Sequence, residues 1–319
     1  LDKKISSPSS VQHIEASREQ QGQRLDNFLI KTLKNLPRTR LYRLIRKGEV
    51  RVNKKRVKPE YKLCIGDCIR IPPVRLQQTD ESPLNIPAQL TELIGDSILY
   101  ENDAIVVVNK PCGLAVHSGS GVRYGLIDVM RGLRPQTAIE LVHRLDRDTS
   151  GCLILAKNRE ALLAMQALLR SDDMQKHYIA VVKGRWPGDL FRIETRLKRE
   201  TMPNGEKKVF ADPAGQVADT VIQSMSSFQR NGVVYSYLNI LLKTGRTHQI
   251  RVHCQSVGHE IAGDTKYGDR EFNRQLKQLG CKRLMLHASK LDLAPTAHTK
   301  ALELVAPRPE EFKLLLEDV

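Results

Sequence analysis

Charged and hydroxylic side chains crowd into His143-Arg144-Leu145-Asp146-Arg147-Asp148-Thr149-Ser150-Gly151, directly before an apolar run. A loop of that make-up can hold one carboxylate at the lip of a sheet, with cations on either side favouring its ionised form. An ionised, positioned aspartate is a competent nucleophile. The competing reading is a turn whose Asp and Thr side chains cap backbone amides, and Asp148, followed by Thr149 and Ser150, fits that better than Asp146 does. A second candidate is Lys176-His177-Tyr178 at the entry to a strand, where a tyrosine ordinarily packs and finds a partner for its hydroxyl at the rim. The third is TGRTHQIRVH (Thr244 to His253), a glycine turn leading into a helix. Arg246 lies before the first turn and could point at an anion near the helix N-terminus, the plain alternative being a surface arginine. His248 and His253 are poorly spaced to share a metal compared with the i, i+4 pairs of zinc helices. Cys64 and Cys68 lack the second ligand pair of a zinc site, so no metal is expected.

These loops need a scaffold, and the apolar pattern supplies one. Ile105 to Val108, Leu153 to Leu155, Tyr178 to Val182 and Val233 to Leu242 are rich in β-branched and aromatic residues and predict strands. Leu126 to Leu133, Arg159 to Arg170 and Thr247 to Val257 predict helices, the last burying Ile250, Cys254 and Val257. Strands outnumber helices and do not alternate strictly with them, which favours an α+β fold with a largely antiparallel mixed sheet over a doubly wound parallel one. Gly113, Gly119, Gly121 and Gly125 are spaced for a mobile loop. Neither GxxxxGK[ST] nor GxGxxG occurs, and no nucleotide cofactor is expected.

The formal charge of +15 is concentrated: Gly22 to Arg75 holds 16 Lys plus Arg against four acidic residues, a local excess of +12. A compact basic region within a foldable pattern is what a polyanion binder presents, because each neutralised phosphate releases counterions. Leu25, Phe28, Leu29 and Leu33 form one helical face ended by Pro37; Leu41, Leu44 and Ile45 form a second, stopped by Gly48. Arg38, Arg40, Arg43, Arg46 and Lys47 decorate that second helix, and Lys54, Lys55 and Arg56 follow in the connection between two short strands, Val50 to Asn53 and Cys68 to Ile71. RLDNFL, RLIRKGEVRVN and IGDCIRI, in that order, resemble the alpha-L RNA-binding module first described in ribosomal protein S four. That resemblance implies a structured RNA partner.

HRLDRDTSG resembles the aspartate motif of the large-subunit family of RNA pseudouridine synthases. NKPCGLAVHSGSG (Asn109 to Gly121) resembles its upstream loop, KHYIAVVKG (Lys176 to Gly184) its tyrosine strand and TGRTHQIRVH its arginine motif. GDTKYGD (Gly263 to Asp269) and LMLHASKLDL (Leu284 to Leu293) extend the likeness, which runs from Gly22 to the C-terminus. The resemblance implies the pseudouridine synthase fold and site-specific isomerisation of uridine to pseudouridine in 23S ribosomal RNA, at more than one position and without a cofactor. It implies Asp146 as nucleophile, whether by attack on the ribose or by starting the loss of a ribose proton. Tyr178 would stack under the uracil and assist proton removal at carbon five, and Arg246 would pair with Asp146. Arg144 would fill the space left by the flipped uridine, with His143 and Arg251 also contacting the substrate RNA.

Domain organisation follows: a flexible tail over 1–21, the RNA-binding domain over 22–75, a linker over 76–95 (QQTDESPLNIP, Gln77 to Pro87, lacks an apolar period) and the catalytic domain over 96–319. No apolar run approaches the roughly 20 residues that span a bilayer, and six scattered cysteines without a secretion signal suggest a reducing cytoplasm. The expected partner is 23S rRNA or a large-subunit assembly precursor, met by a monomer. Two rivals from other classes are a non-catalytic RNA chaperone, in which Asp146 is dispensable, and an RNA N-glycosylase, which would release free uracil.

Overall fold

Pro37 and Gly48 bracket a helix in the N-terminal part of the chain, as their chemistry predicts: Pro37 is its N-cap, and Gly48 closes it in the left-handed region at φ 70°. The computed structural model describes residues 10–33, 36–74, 86–119 and 122–316, in two units of which the second begins at Ile86. The first unit contains β1 (Gln12–Glu15), α1 (Leu25–Thr32), α2 (Arg38–Lys47), β2 (Arg51–Val52) and β3 (Cys68–Ile71). The strands pair in the order β1-β3-β2. Leu25, Leu29, Leu41, Ile45, Ile69 and Ile71 pack between helices and sheet. Asp26, buried in the first turn of α1, accepts from Arg24 and the Tyr42 hydroxyl and joins the two helices.

The expected tail is corrected here. Residues 12–15 form β1 in register with β3, Ile14 opposite Ile69, and Ser17 and Gln20 close a capping box behind it. Four alternating residues are too few to stand out against a polar background, so the sequence conceals this strand. Residues 1–9 lie outside the described set.

The second unit contains α3 (Ala88–Asp96), β4 (Ile98–Glu101), β5 (Ile105–Lys110), α4 (Leu126–Leu133), β6 (Glu140–Leu141), β7 (Ser150–Ala156), α5 (Arg159–Arg170) and β8 (Met174–Lys183). There follow β9 (Arg192–Thr201), β10 (Lys207–Ala211), β11 (Gln216–Arg230), β12 (Val233–Leu242), α6 (Gln249–Ser256), α7 (Arg270–Gln278), β13 (Leu286–Leu293), β14 (Leu302–Val305) and α8 (Glu310–Leu316). The expected linker therefore ends sooner than 95: α3 begins at Ala88 and sends Ile94 into the core, while residues 75–85 lie outside the described set.

An 11-stranded sheet runs β10-β9-β11-β12-β8-β13-β7-β5-β4, with β14 on β13 and β6 on β7. The expected α+β class and antiparallel bias hold, with one parallel pair, β7 with β13. Alternate side chains of β5 and β7 go to opposite faces. Val106, Val108, Leu153 and Leu155 meet α3 and α4 on one side, while Ile105, Val107, Cys152 and Ile154 meet α5 on the other. Burial on both faces explains why these strands read as continuous apolar runs. Among the described residues no helix is long and apolar enough to cross a membrane.

The parallel pair fixes the start of β7, directly after the HRLDRDTSG loop. Gly151 lies opposite Ala288 at φ 111°, and a Cβ there would sit 2.1 Å from the Ala288 carbonyl oxygen. Only glycine permits that approach. The start of the upstream loop is tied down: Gly113 N–H donates to the Arg147 carbonyl and the Cys112 thiol to that of Asp148. Fully buried Lys110 donates to the carbonyls of Pro111, Leu114 and Arg147 at 2.8, 2.8 and 2.9 Å. Of the loop glycines, Gly121 lies outside the described residues. Burial pushes the Lys110 ammonium down to about 7, yet its three N–H donors match three acceptors.

Lys110→Met leaves the Pro111 and Leu114 carbonyls without that donor and should cost about 3 kcal/mol. For a unit of this size that lowers Tm by roughly 6–12 °C. Calorimetry checks this, and an unchanged Tm would mean that the clamp contributes nothing.

Candidate active site

Asp146 emerges from the loop before β7 with its carboxylate in a cavity of about 300 Å³, lined also by Arg144, Tyr178, Arg246, His248 and Arg251. Among the described residues its side chain caps no backbone amide; the turn closes instead through Thr149 N–H donating to the Asp146 carbonyl. The capping reading therefore fails for Asp146. Its Oδ2 faces two side chains of the arginine-motif segment, Arg251 Nη1 at 3.8 Å and His248 Nε2 at 3.9 Å. Both distances exceed hydrogen-bond length, so the Arg251 charge holds the carboxylate across a gap while its lone pairs stay available.

Arg251 is only 4% exposed. Its Nε and Nη2 each donate to Asp264 at 2.8 Å, a two-pronged pair, and its guanidinium lies 5.1 Å from the centre of the Tyr267 ring. Burial alone would weaken the guanidinium's hold on its proton; Asp264 and Asp146 reverse that. Burial also opposes ionisation of Asp264, but Arg251 and the amides of Tyr267 and Lys266 hold its carboxyl below the usual range. One face of Arg251 is thus neutralised inside the protein, and Nη1 is left to Asp146.

The turn into α6 explains which arginine arrives there. His248 sits in the left-handed region (φ 54°, ψ 22°), and α6 begins at Gln249 rather than Thr247. Buried Gln249 accepts from the Thr244 hydroxyl and the Arg246 amide and donates to the Asp219 carbonyl and Thr220 hydroxyl, locking the turn. Arg251 falls in the first helical turn, facing the pocket. Arg246 is exposed at the rim and donates Nε to the Val217 carbonyl at 3.0 Å. The expected Arg246–Asp146 pair is corrected to Arg251–Asp146. All of α6 from Gln249 to Cys254 is buried, not only the face of Ile250 and Cys254.

The other expected residues divide. Tyr178, on β8, is 7% exposed and lines the cavity; burial, reinforced by Asp146, pushes its phenol up, so it stays protonated at neutral pH. Arg144 is exposed at the mouth. His143 lines the cavity, but its Nε2 accepts from the Ile154 amide at 3.2 Å. Burial, with Lys176 nearby, pushes His143 down to about 4. The neutral imidazole thus ties the Asp146 loop to β7 while still lining the cavity. In the N-terminal unit Arg38, Arg43, Arg46, Lys47, Lys54, Lys55 and Arg56 are exposed as expected, and Arg40 is half-buried. Asp264, Tyr267 and His248 escaped the sequence reading as site residues. GDTKYGD was the signal for the first two, but without a spatial partner its acid looked like any turn aspartate.

Residues 104–256 match the family model described as RNA pseudouridylate synthase, and residues 23–69 match the S4 domain. The chain is 42% identical to ribosomal large subunit pseudouridine synthase C of Haemophilus influenzae, over 97% of this chain and 95% of that protein. It is 44% identical to the Escherichia coli K12 protein of the same name, over 97% of this chain and 96% of that one. The chain belongs to the RNA pseudouridylate synthase family. Among solved structures, human RNA pseudouridylate synthase domain containing 4 is similar at a TM-score of 0.58 and 27% identity, covering 72% of this chain and 95% of that one. The enzyme is thus an isomerase built from an S4 domain and a mixed-sheet catalytic domain, as its motifs led us to expect.

Arginine and lysine are not equivalent at a two-pronged site. Arg251→Lys keeps the charge but cannot hold Asp264 with two donors and face Asp146 with a third, so single-turnover pseudouridine formation should fall roughly a hundred-fold. Arg246→Lys, at the rim, should be milder. Equal losses in the two variants would contradict the assignment of Arg251 as the partner of Asp146.

Proposed function

We propose that the enzyme isomerises uridine to pseudouridine in 23S ribosomal RNA, at more than one position, by flipping each target into the cavity, where Asp146 is the nucleophile. The observation that carries this is the Asp146 carboxylate, uncapped by backbone and facing Arg251 and His248 inside a cavity lined by Tyr178. The names of the relatives in Haemophilus influenzae and Escherichia coli support the ribosomal large subunit as the source of the RNA. The enzyme acts as a cytoplasmic monomer on the rRNA or its assembly precursor.

In the reaction the bond from ribose C1′ to uracil N1 breaks, the base turns, and C1′ rejoins at C5. The proton lost from C5 is balanced by one gained at N1, so substrate and product are isomers. Asp146 takes the nucleophilic part, either at C1′ or by starting the loss of a ribose proton. Tyr178 supports the base with its ring, and its hydroxyl assists at C5 by taking that proton as its own passes to solvent, so the phenol is protonated before and after the step. Chemistry on a base requires it to leave the stack, and Arg144, exposed at the mouth, fills the gap. The exposed cations of α2 and of residues 54–56 hold phosphates and position the RNA without reading its sequence.

Asp146→Asn removes the charge and keeps the shape, so pseudouridine formation should vanish while fold and RNA affinity persist. Measurable single-turnover product from a folded, uncontaminated variant would sink the nucleophile assignment. A chain starting at Ile86 should remain folded, bind RNA more weakly and lose site selectivity at low enzyme concentration; mapping pseudouridine in rRNA treated with each form reads this out. Equal modification by both would remove the N-terminal module from the account.

A further inference from the structure

His248 combines two features that a merely structural residue does not need. A non-glycine residue is held in the left-handed region, φ 54° and ψ 22°, and that backbone turns its imidazole into the cavity between Asp146 and Tyr267. Nδ1 lies 2.7 Å from the Tyr267 hydroxyl, and Nε2 lies 3.9 Å from Asp146 Oδ2. One tautomer uses every proton in this pattern. The Tyr267 hydroxyl oxygen accepts from the Val209 amide at 3.1 Å, and His248 Nδ1 is the acceptor within reach of its single proton among the described residues. Tyr267 therefore donates, Nδ1 accepts, and the remaining imidazole proton belongs on Nε2, the nitrogen facing Asp146.

We propose that His248 is a positioning residue for Asp146, held by Tyr267 in the Nε2–H tautomer so that a neutral donor, not a second cation, faces the carboxylate beside Arg251. The proposal rests on Asp146 being the nucleophile. Arg251 is already balanced by Asp264, so a full charge on His248 would draw Asp146 into an ion pair and away from the ribose. A neutral Nε2–H, 3.9 Å from Oδ2, turns only the positive end of a dipole toward the carboxylate and biases its orientation without that pull. The groups facing the imidazole are Asp146 from the loop before β7, Arg251 from α6, and Asp264, Lys266 and Tyr267 from the segment before α7. Burial lowers its proton affinity, Asp146 and Asp264 raise it, and Arg251 and Lys266 lower it, leaving it below the ordinary histidine value.

The sign of the pH dependence follows. Activity is full while His248 is neutral and falls as pH drops through its depressed pKa. Tyr267→Phe keeps the ring under Arg251 but removes the proton donated to Nδ1, so that nitrogen can take one from solvent. The acid limb of the single-turnover rate should move up by about one pH unit, a ten-fold change in proton affinity, with KM for rRNA unchanged. His248→Gln, an amide donor that does not titrate, should retain a reduced rate and lose that limb. In the unaltered enzyme, nitrogen-15 NMR of labelled histidine should show His248 protonated at Nε2 and bare at Nδ1, a readout that holds if a variant fails to fold. The proposal is overturned by an Nδ1–H tautomer, or by wild-type pH profiles in both variants. Activity in Asp146→Asn would instead overturn the nucleophile reading itself, so the two failures are distinct.

Discussion

A guanidinium as buried as that of Arg251 keeps its charge, and only carboxylates placed against it offset the cost of taking that charge out of water; the arrangement of the second unit follows from that requirement. Asp264 meets it with two short bonds. Asp264 is in turn fixed by the amides of Lys266 and Tyr267, and Asn273 on α7 holds the segment by accepting from Gly263 and donating to the Asp264 carbonyl. The pair thus ties α6, the GDTKYGD segment and α7 together before any substrate is present. Losing one partner of such a buried pair typically costs 3–5 kcal/mol, because the other charge is left uncompensated. Asp146 adds a second, looser carboxylate to an arginine whose desolvation is already offset, which is why its oxygens remain unbonded.

The loop that carries Asp146 is held by a different device, a matching of donors to carbonyls. Lys110, Gly113 and Cys112 reach across from the upstream loop to the carbonyls of Arg147 and Asp148. The backbone around Asp146 is thereby immobilised from one side, while Arg251 and His248 approach its side chain from the other. Neither set works alone. A clamped backbone without the arginine leaves the carboxylate free to rotate, and the arginine without the clamp faces a mobile loop.

What was legible in the sequence tracks how local the determining physics is. Leu126 to Leu133 and Arg159 to Arg170 form helices with the predicted bounds, because apolar period and end signals lie within a few residues. The Gly48 stop is equally local. β9, β10, α7 and β14 went unpredicted: β9 and β10 are charged and largely exposed, and their pairing is set by neighbours far along the chain. In the site, the motifs singled out Asp146 and Tyr178, both of which line the cavity. The choice between Arg246 and Arg251 turned on the left-handed residue at His248, which shifts the start of α6 and which no spacing rule anticipates. The bond from the Ile154 amide to His143 is equally hidden in the sequence, because it exists only when β7 is in place.

The parallel pairing of β7 with β13 also orders events in time. Ser150 and His287 are 137 residues apart in the chain and bonded in the fold, so the start of β7 next to Asp146 is completed by a contact with a large loop-closure cost. Pairings of that kind form late. The N-terminal unit, by contrast, closes on itself within residues 12–71 and leaves the ribosome first. A growing chain therefore acquires its cationic RNA-binding face while the strand that completes its catalytic centre has yet to be synthesised, and gains the ability to hold RNA before the ability to alter it.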